Sequence, residues 1–258
     1  MTNREGYFRI ELKGSGYGWS DVPLELSGDP SVCTVARVLV PSPRARFGVI
    51  SDIDDTIVQT HVTSRLKMLL TVALTNAATR KPFAGAGAFY RALHGGVNPF
   101  FYVSKSPWNL YPVLVEYLRL QSLPEGPLLL RDFSLRMKKQ HKEESIEAIL
   151  QTYPKLPFVL IGDSGEKDPE IYADVVRRHP KRILAVYIRS VGSDPRRLRA
   201  IEQLIEVVAK TGCQLVFSAD SYAAATHAAG QGLIPAKDLR VVAKECLADA
   251  SVLAKATT

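Results

Sequence analysis

Residues 47–56 read Phe-Gly-Val-Ile-Ser-Asp-Ile-Asp-Asp-Thr, an apolar, β-branched run that stops on three carboxylates and a hydroxyl. Phe47, Val49, Ile50 and Ile53 give the pattern of a strand buried on both faces, as in a parallel sheet covered by helices. Carboxylates are costly at such a place. Asp52 and Asp54, two residues apart, converge on one space as the strand ends, where a cation or a shared proton relieves their repulsion. A loop whose Asp side chains only cap a turn explains the same letters, so the choice falls to the other segments.

Those segments alternate between short apolar runs and helical stretches. Residues 98–103 read as a buried strand ending in Ser104-Lys105-Ser106-Pro107-Trp108-Asn109, with a helix expected to begin at Pro107 and run to residue 121. Ser104 or Ser106 either caps that helix or donates to a phosphate at its N-terminus. Residues 126–131 give a short strand. Lys142 then stands ahead of a helix over 143–152, against the dipole preference, so it is either a surface lysine or a charge wanted for another purpose. Residues 156–161 form another wholly apolar strand, ending in Gly162-Asp163-Ser164-Gly165-Glu166-Lys167-Asp168, a second pair of carboxylates at a second strand end. Runs at 183–188 and 214–217 complete five or six parallel strands separated by helices. The class is α/β, a doubly wound parallel Rossmann-like sheet, whose ligands sit at the carboxyl ends of strands near the switch point.

Around this sheet the sequence predicts two lesser elements. Residues 1–40 alternate with period two at 7–12, 22–26 and 35–40 and form a small β appendage, either packed on the main domain of residues 44–258 or the remnant of a longer β domain. Residues 57–82 contain an apolar helix around 66–74 flanked by Arg65, Lys67, Arg80 and Lys81. It either packs on the domain or forms a flap that meets lipid.

Composition narrows the class of partner. With 33 Lys and Arg against 26 Asp and Glu the formal charge is +7, which favours anionic partners: phosphate esters, nucleic acid or an acidic membrane surface. Basic residues cluster at 136–142, 177–182 and 196–199, and each cluster also reads as a solvated helix face. Three distant cysteines, Cys33, Cys213 and Cys246, fit reduced packing thiols rather than a disulfide or zinc framework. The polar N-terminus and the lack of any run of about 18 apolar residues predict neither export nor a membrane span, hence a cytoplasmic protein.

Taken together, Asp52-x-Asp54-x-Thr56, the strand-terminal Ser104, Lys142 before a helix, and Gly162-Asp163 with Asp168 resemble, in order, the four motifs of the haloacid-dehalogenase (HAD) phosphatase superfamily. More narrowly, residues 48–56, 102–110 and 160–172 resemble the catalytic domain of the actin-patch-associated phosphatidate phosphatase family, with the likeness running from about residue 36 to about residue 235. The resemblance implies a HAD-like fold with a minimal cap and a Mg2+-dependent phosphatase. Asp52 is then the nucleophile, and Asp54 the general acid and base. Mg2+ falls to Asp52, the Asp54 carbonyl and Asp163, with Asp168 behind them. Ser104 and Lys142 bind the phosphoryl group, and Thr56 supports the loop. Lys105 departs from the expected small polar residue and is a candidate additional phosphate contact. The implied substrate is phosphatidate at an anionic membrane surface. Another exposed phosphomonoester, such as a nucleic-acid end or a phosphoprotein, and a silent anionic-lipid or nucleic-acid binding module remain as alternatives.

Overall fold

Strands whose side chains alternate between two apolar environments need cover on both sides, and this sheet has it. A computed structural model describes residues 16–53, 84–131, 140–192 and 194–256, and the chain divides into two units, Met1–Pro43 and Arg44–Thr258. Asp54, Asp55, Thr56, the 57–82 insertion, the expected strand at 7–12 and the basic residues 136–139 lie outside the described residues.

Within the first unit, β1 (Gly18–Leu26) and β2 (Asp29–Val40) pair antiparallel, with Gly18 opposite Val40 and an irregularity at Glu25/Leu26. Gly28 sits at φ +97°, and Asp29 Oδ1 accepts from the Ser31 N–H at 3.1 Å, so a glycine and an Asx-type contact close the turn. Cys33 is exposed on β2, which corrects its reading as a packing thiol; Cys213 is buried.

The second unit carries six strands, all parallel: β3 (Gly48–Asp52), β4 (Phe100–Pro107), β5 (Leu128–Arg131), β6 (Phe158–Asp163), β7 (Ile183–Arg189) and β8 (Leu215–Ser218), in the order β5-β4-β3-β6-β7-β8. From β3 the chain moves outward through β4 to β5, then returns across to β6 and moves outward the other way. The reversal of direction between β3 and β6 is the switch point of a doubly wound sheet. Helices α1 (Ala86–His94), α2 (Tyr111–Leu120), α3 (His141–Thr152), α4 (Asp168–Arg178), α5 (Pro195–Ala209), α6 (Ser221–Gly230) and α7 (Leu239–Ala256) cover it.

Adjacent residues of one strand enter different cores. Val49, Val159, Ile161 and Tyr187 pack with Phe89, Leu114 and Ala225 from α1, α2 and α6. Ile50, Leu160, Val186 and Ile188 pack with Ile146, Tyr172 and Ile201 from α3, α4 and α5. This alternation is why the runs are apolar throughout, and why one register slip would invert both cores.

Two boundaries differ from expectation. No helix starts at Pro107: β4 runs through Ser104 to Pro107, which is extended (φ −76°, ψ 157°) and pairs with Arg131 after a register shift. A 3-10 turn at Trp108–Leu110 follows, and Pro112 takes the first turn of α2. Strand pairing with β5 overrides the local preference of proline. Lys142 lies inside the first turn of α3, not ahead of it.

Candidate functional site

Pairing of β3 with both its neighbours sets the rim. Asp52 is level with Val103 of β4, so Ser104 stands one residue further out. On the other side Ser51 is level with Ile161, so Gly162 and Asp163 extend past it. Helix α3 returns from β5 and brings Lys142 to the same edge. Lys142 Nζ lies 2.9 Å from Asp52 Oδ1, 2.5 Å from Asp168 Oδ1 and 3.3 Å from Glu166 Oε2. Four residues from three separate stretches thus meet, with the Lys142, Asp52 and Asp168 side chains each at most 2% exposed. The first-turn lysine, unfavourable for a helix dipole, is stabilised by this acidic cradle.

The loop after β6 organises its own carboxylates. Asp163 Oδ1 accepts the N–H groups of Gly165 at 2.8 Å and Glu166 at 3.2 Å, and Asp168 Oδ2 accepts the N–H of Asp163 at 3.2 Å. Gly162 is required there, because a Cβ would meet Asp168 Oδ2 at 2.3 Å. Lys105 bonds Glu166 Oε2, the oxygen that also faces Lys142, so the two ammonium groups share one carboxylate. On β4, Ser104 Oγ is buried and accepts the Ser106 N–H at 2.9 Å. Below Asp52, Ser51 Oγ donates to the Asp52 carbonyl at 3.0 Å, which leaves the Tyr90 hydroxyl to donate to Ser51 at 2.8 Å.

Electrostatics follow from burial and neighbours. Burial opposes the charge of Lys142, but the Asp168 and Asp52 carboxylates outweigh it and hold its pKa above the ordinary value. Burial, joined by the neighbouring Asp163 charge, holds Asp168 above the usual carboxylate range although Lys142 opposes it. Although burial pushes Glu166 upward, its hydrogen bond from Lys105 and the charge of Lys142 bring it below the usual range. Burial lifts Tyr90 to about 12, which keeps it a hydroxyl donor.

These groups fit a hard divalent cation. Asp52, Asp163 and Asp168 each offer a carboxylate oxygen, all within 4.8 Å of one another, and an oxygen-only set suits Mg2+. In the cluster formed by Asp52, Asp163, Asp168 and Glu166 with Lys142 and Lys105, four carboxylates face two ammonium groups. Carboxylates outnumber ammonium groups among these residues, which favours a cation.

Of the residues singled out in the sequence, Asp52, Lys142, Asp163 and Asp168 come together, Ser104 stands at the same rim, and Lys105 joins through Glu166. Asp54 and Thr56 lie outside the described residues. Sequence reasoning missed Glu166, Tyr90 and Arg197. Glu166 was visible within the second acidic motif, but not the direction of its side chain. Arg197 sat in a basic cluster read as surface; it binds the carbonyls of Ser164 and Glu166 and the Glu170 carboxylate. The neighbouring basic segment is also engaged. Arg177 and Arg178 pair with Asp174, Arg178 and His179 with Glu147, and Arg182 donates to the carbonyls of Leu150, Tyr153 and Leu156.

Comparison with known proteins bears on this arrangement. The chain is 35% identical over 177 residues to the protein named Phosphatidate phosphatase APP1 of Saccharomyces cerevisiae, covering 66% of this chain and 30% of that one. An uncharacterized protein of Schizosaccharomyces pombe is 29% identical over 208 residues, 75% of this chain and 34% of its own. The chain therefore spans about a third of the length of these relatives. Among solved structures, a haloacid dehalogenase-like hydrolase of Burkholderia xenovorans aligns with a TM-score of 0.37 at 15% identity, over 64% of this chain and 98% of that one. Residues 47–190, which carry β3 to β7 and every acidic residue of the rim cluster, match the model described as "Phosphatidate phosphatase APP1, catalytic domain", and the chain belongs to that family.

Proposed function

We propose that this protein is a Mg2+-dependent phosphomonoester hydrolase that converts phosphatidate to diacylglycerol and phosphate through an aspartyl-phosphate. The observation that carries this reading is the buried contact of Lys142 with Asp52 and Asp168, at 2.9 and 2.5 Å, beside Asp163. A binding module has no need of a carboxylate set against a buried ammonium at the mouth of a sheet. A nucleophile does.

Asp52 attacks phosphorus, and the P–O bond to the leaving alkoxide breaks as Asp54 supplies a proton to that oxygen. Asp54 then takes a proton from water, whose oxygen attacks the aspartyl-phosphate and releases phosphate and free Asp52. Lys142 and Ser104 bind the transferring group, with Lys105 as a further contact and Thr56 supporting the loop. Asp52, Asp163 and the Asp54 carbonyl would hold Mg2+, with Asp168 behind them, since its two oxygens are engaged by Lys142 and the Asp163 N–H. Bound there, the ion would supply positive charge to the transferring phosphoryl group.

The lipid substrate is supported by the name of the yeast relative, a phosphatidate phosphatase. We take the protein to act from the cytoplasm, at the anionic surface of a membrane; among the described residues no helix is long and apolar enough to cross one. Nucleic-acid ends are less favoured, because Arg182 and Arg197 are spent on carbonyls and on Glu170 of this chain. The test is phosphate release from an aryl phosphate with and without Mg2+, wild type against Asp52→Asn, then phosphatidate in mixed micelles against a 5′-phosphorylated oligonucleotide. We expect Mg2+-dependent release, lost by a factor of about 10³ or more in the variant, and preference for phosphatidate. Equal turnover by Asp52→Asn rejects the mechanism, and preference for the oligonucleotide rejects the lipid assignment.

A further inference from the structure

The matched family region ends at residue 190, yet the acidic loop after β6 is held from beyond it. Arg197, in the first turn of α5, uses all three of its guanidinium nitrogens. Nε donates to the Ser164 carbonyl at 2.9 Å, Nη2 to the Glu166 carbonyl at 2.5 Å and to Glu170 Oε2 at 3.0 Å, and Nη1 to Glu170 Oε1. The side chain is 25% exposed, so this is no loose surface pair.

The carbonyl of Ser164 and the N–H of Gly165 belong to one peptide unit. Arg197 holds the oxygen of that unit while its N–H donates to Asp163 Oδ1 at 2.8 Å. A cation on the carbonyl polarises the amide and strengthens the hydrogen bond on its other side. The second carbonyl, of Glu166, anchors the residue whose side chain faces Lys142 and Lys105. We infer that Arg197 is a positioning residue for the divalent-cation site, aiming the Asp163 carboxylate through the 164–165 peptide without touching ion or substrate. This rests on the reading that Asp163 takes part in holding the ion.

The test measures binding of Mn2+ alone, as a paramagnetic stand-in for Mg2+, by electron paramagnetic resonance on the full chain, with circular dichroism to confirm folding. Arg197→Ala should weaken Mn2+ binding by about 10–100-fold, the range for groups that orient a metal ligand, and excess Mg2+ should bring turnover back towards wild type. Arg197→Lys, with one ammonium in place of a fork, should lie between. Glu170→Gln removes the ion pair but leaves both carbonyl contacts, and should change Mn2+ binding less than threefold, about 0.65 kcal/mol or less by RT ln K. Wild-type affinity in Arg197→Ala, or a loss in Glu170→Gln as large as in Arg197→Ala, overturns the inference while leaving the metal site standing. Should Arg197→Ala fail to fold, wild-type affinity in Arg197→Lys overturns it. A wild-type chain that binds no Mn2+ sinks the metal reading and this inference together.

Discussion

The two strand ends that flank Asp52 are built on opposite plans. After β6, residues 163–168 are tied down at almost every polar group: Asp163 by two N–H donors, Asp168 by Lys142 and the Asp163 N–H, Ser164 by the backbone of Val191, and the loop carbonyls by Arg197. At the end of β4, residues 104–107 continue the strand through a register shift, Ser104 accepts the Ser106 N–H, and the buried hydroxyl of Ser106 finds no hydrogen-bond partner among the described residues. The acidic side is preorganised, because converging carboxylates repel unless their geometry is enforced. On the hydroxyl side, the Ser106 Oγ is the group that, among the described residues, is left to donate to an incoming group.

The largest expected effect follows from removing the charge that joins the two sides. Lys142→Met keeps the aliphatic stem and leaves Asp52 and Asp168, both essentially buried, without their ammonium. Breaking a buried ion pair from one side costs about 3–5 kcal/mol. Chemical denaturation should show a loss of that size, partly recovered by Mg2+, and turnover should fall below detection. A loss under about 1 kcal/mol would mean that Asp52 and Asp168 do not depend on Lys142 for their charge, against the raised pKa that their proximity gives the lysine.

Much of this contrast can be read from the chain itself. Runs such as 158–161 are apolar at every position because both faces of the sheet are covered, and their alternation with helical stretches identifies the parallel sheet. Asp52 and Asp163 are legible because carboxylates at the ends of such runs have no packing role, whereas Lys142, in the first turn of α3, is assigned to the site only through the family resemblance. Contacts between distant residues are not legible. Arg197 reaches Ser164 across 33 residues, and Glu166 reaches Lys105 across 61; no local pattern encodes either. The continuation of β4 to Pro107 depends on its pairing with Arg131, so local preference put a helix there instead. The pairing within the 177–182 basic cluster was partly legible, since Asp174 three and four residues before Arg177 and Arg178 offers helical pairs.

A smaller effect isolates the packing of the acidic side. Gly162→Ala brings a methyl to 2.3 Å from Asp168 Oδ2 and 2.8 Å from its Cβ. Asp168 cannot yield without releasing Lys142 or the Asp163 N–H. Overpacking of this kind costs about 1–3 kcal/mol, and the denaturation midpoint should fall with an unchanged slope. Full stability with full activity would show that the loop after β6 is softer than its hydrogen bonds imply, and would weaken the contrast with β4.

The smallest effects test the hydroxyl side. Ser104→Ala removes the acceptor of the buried Ser106 N–H, and an orphaned donor costs about 1–3 kcal/mol. Ser106→Ala deletes a hydroxyl that is buried, 1% exposed as a residue and without a partner among the described residues, so it should be neutral or slightly stabilising, within about 1 kcal/mol. The two variants therefore separate by sign or size on the same strand end, two residues apart. Denaturation of both, beside turnover of an aryl phosphate, decides the matter. If Ser106→Ala is the more destabilising, its hydroxyl is bonded to a group beyond the described residues, and the hydroxyl side is as tightly built as the acidic one. If it is neutral in stability but lowers turnover, the hydroxyl is held for the phosphate, and the difference between the two strand ends is functional.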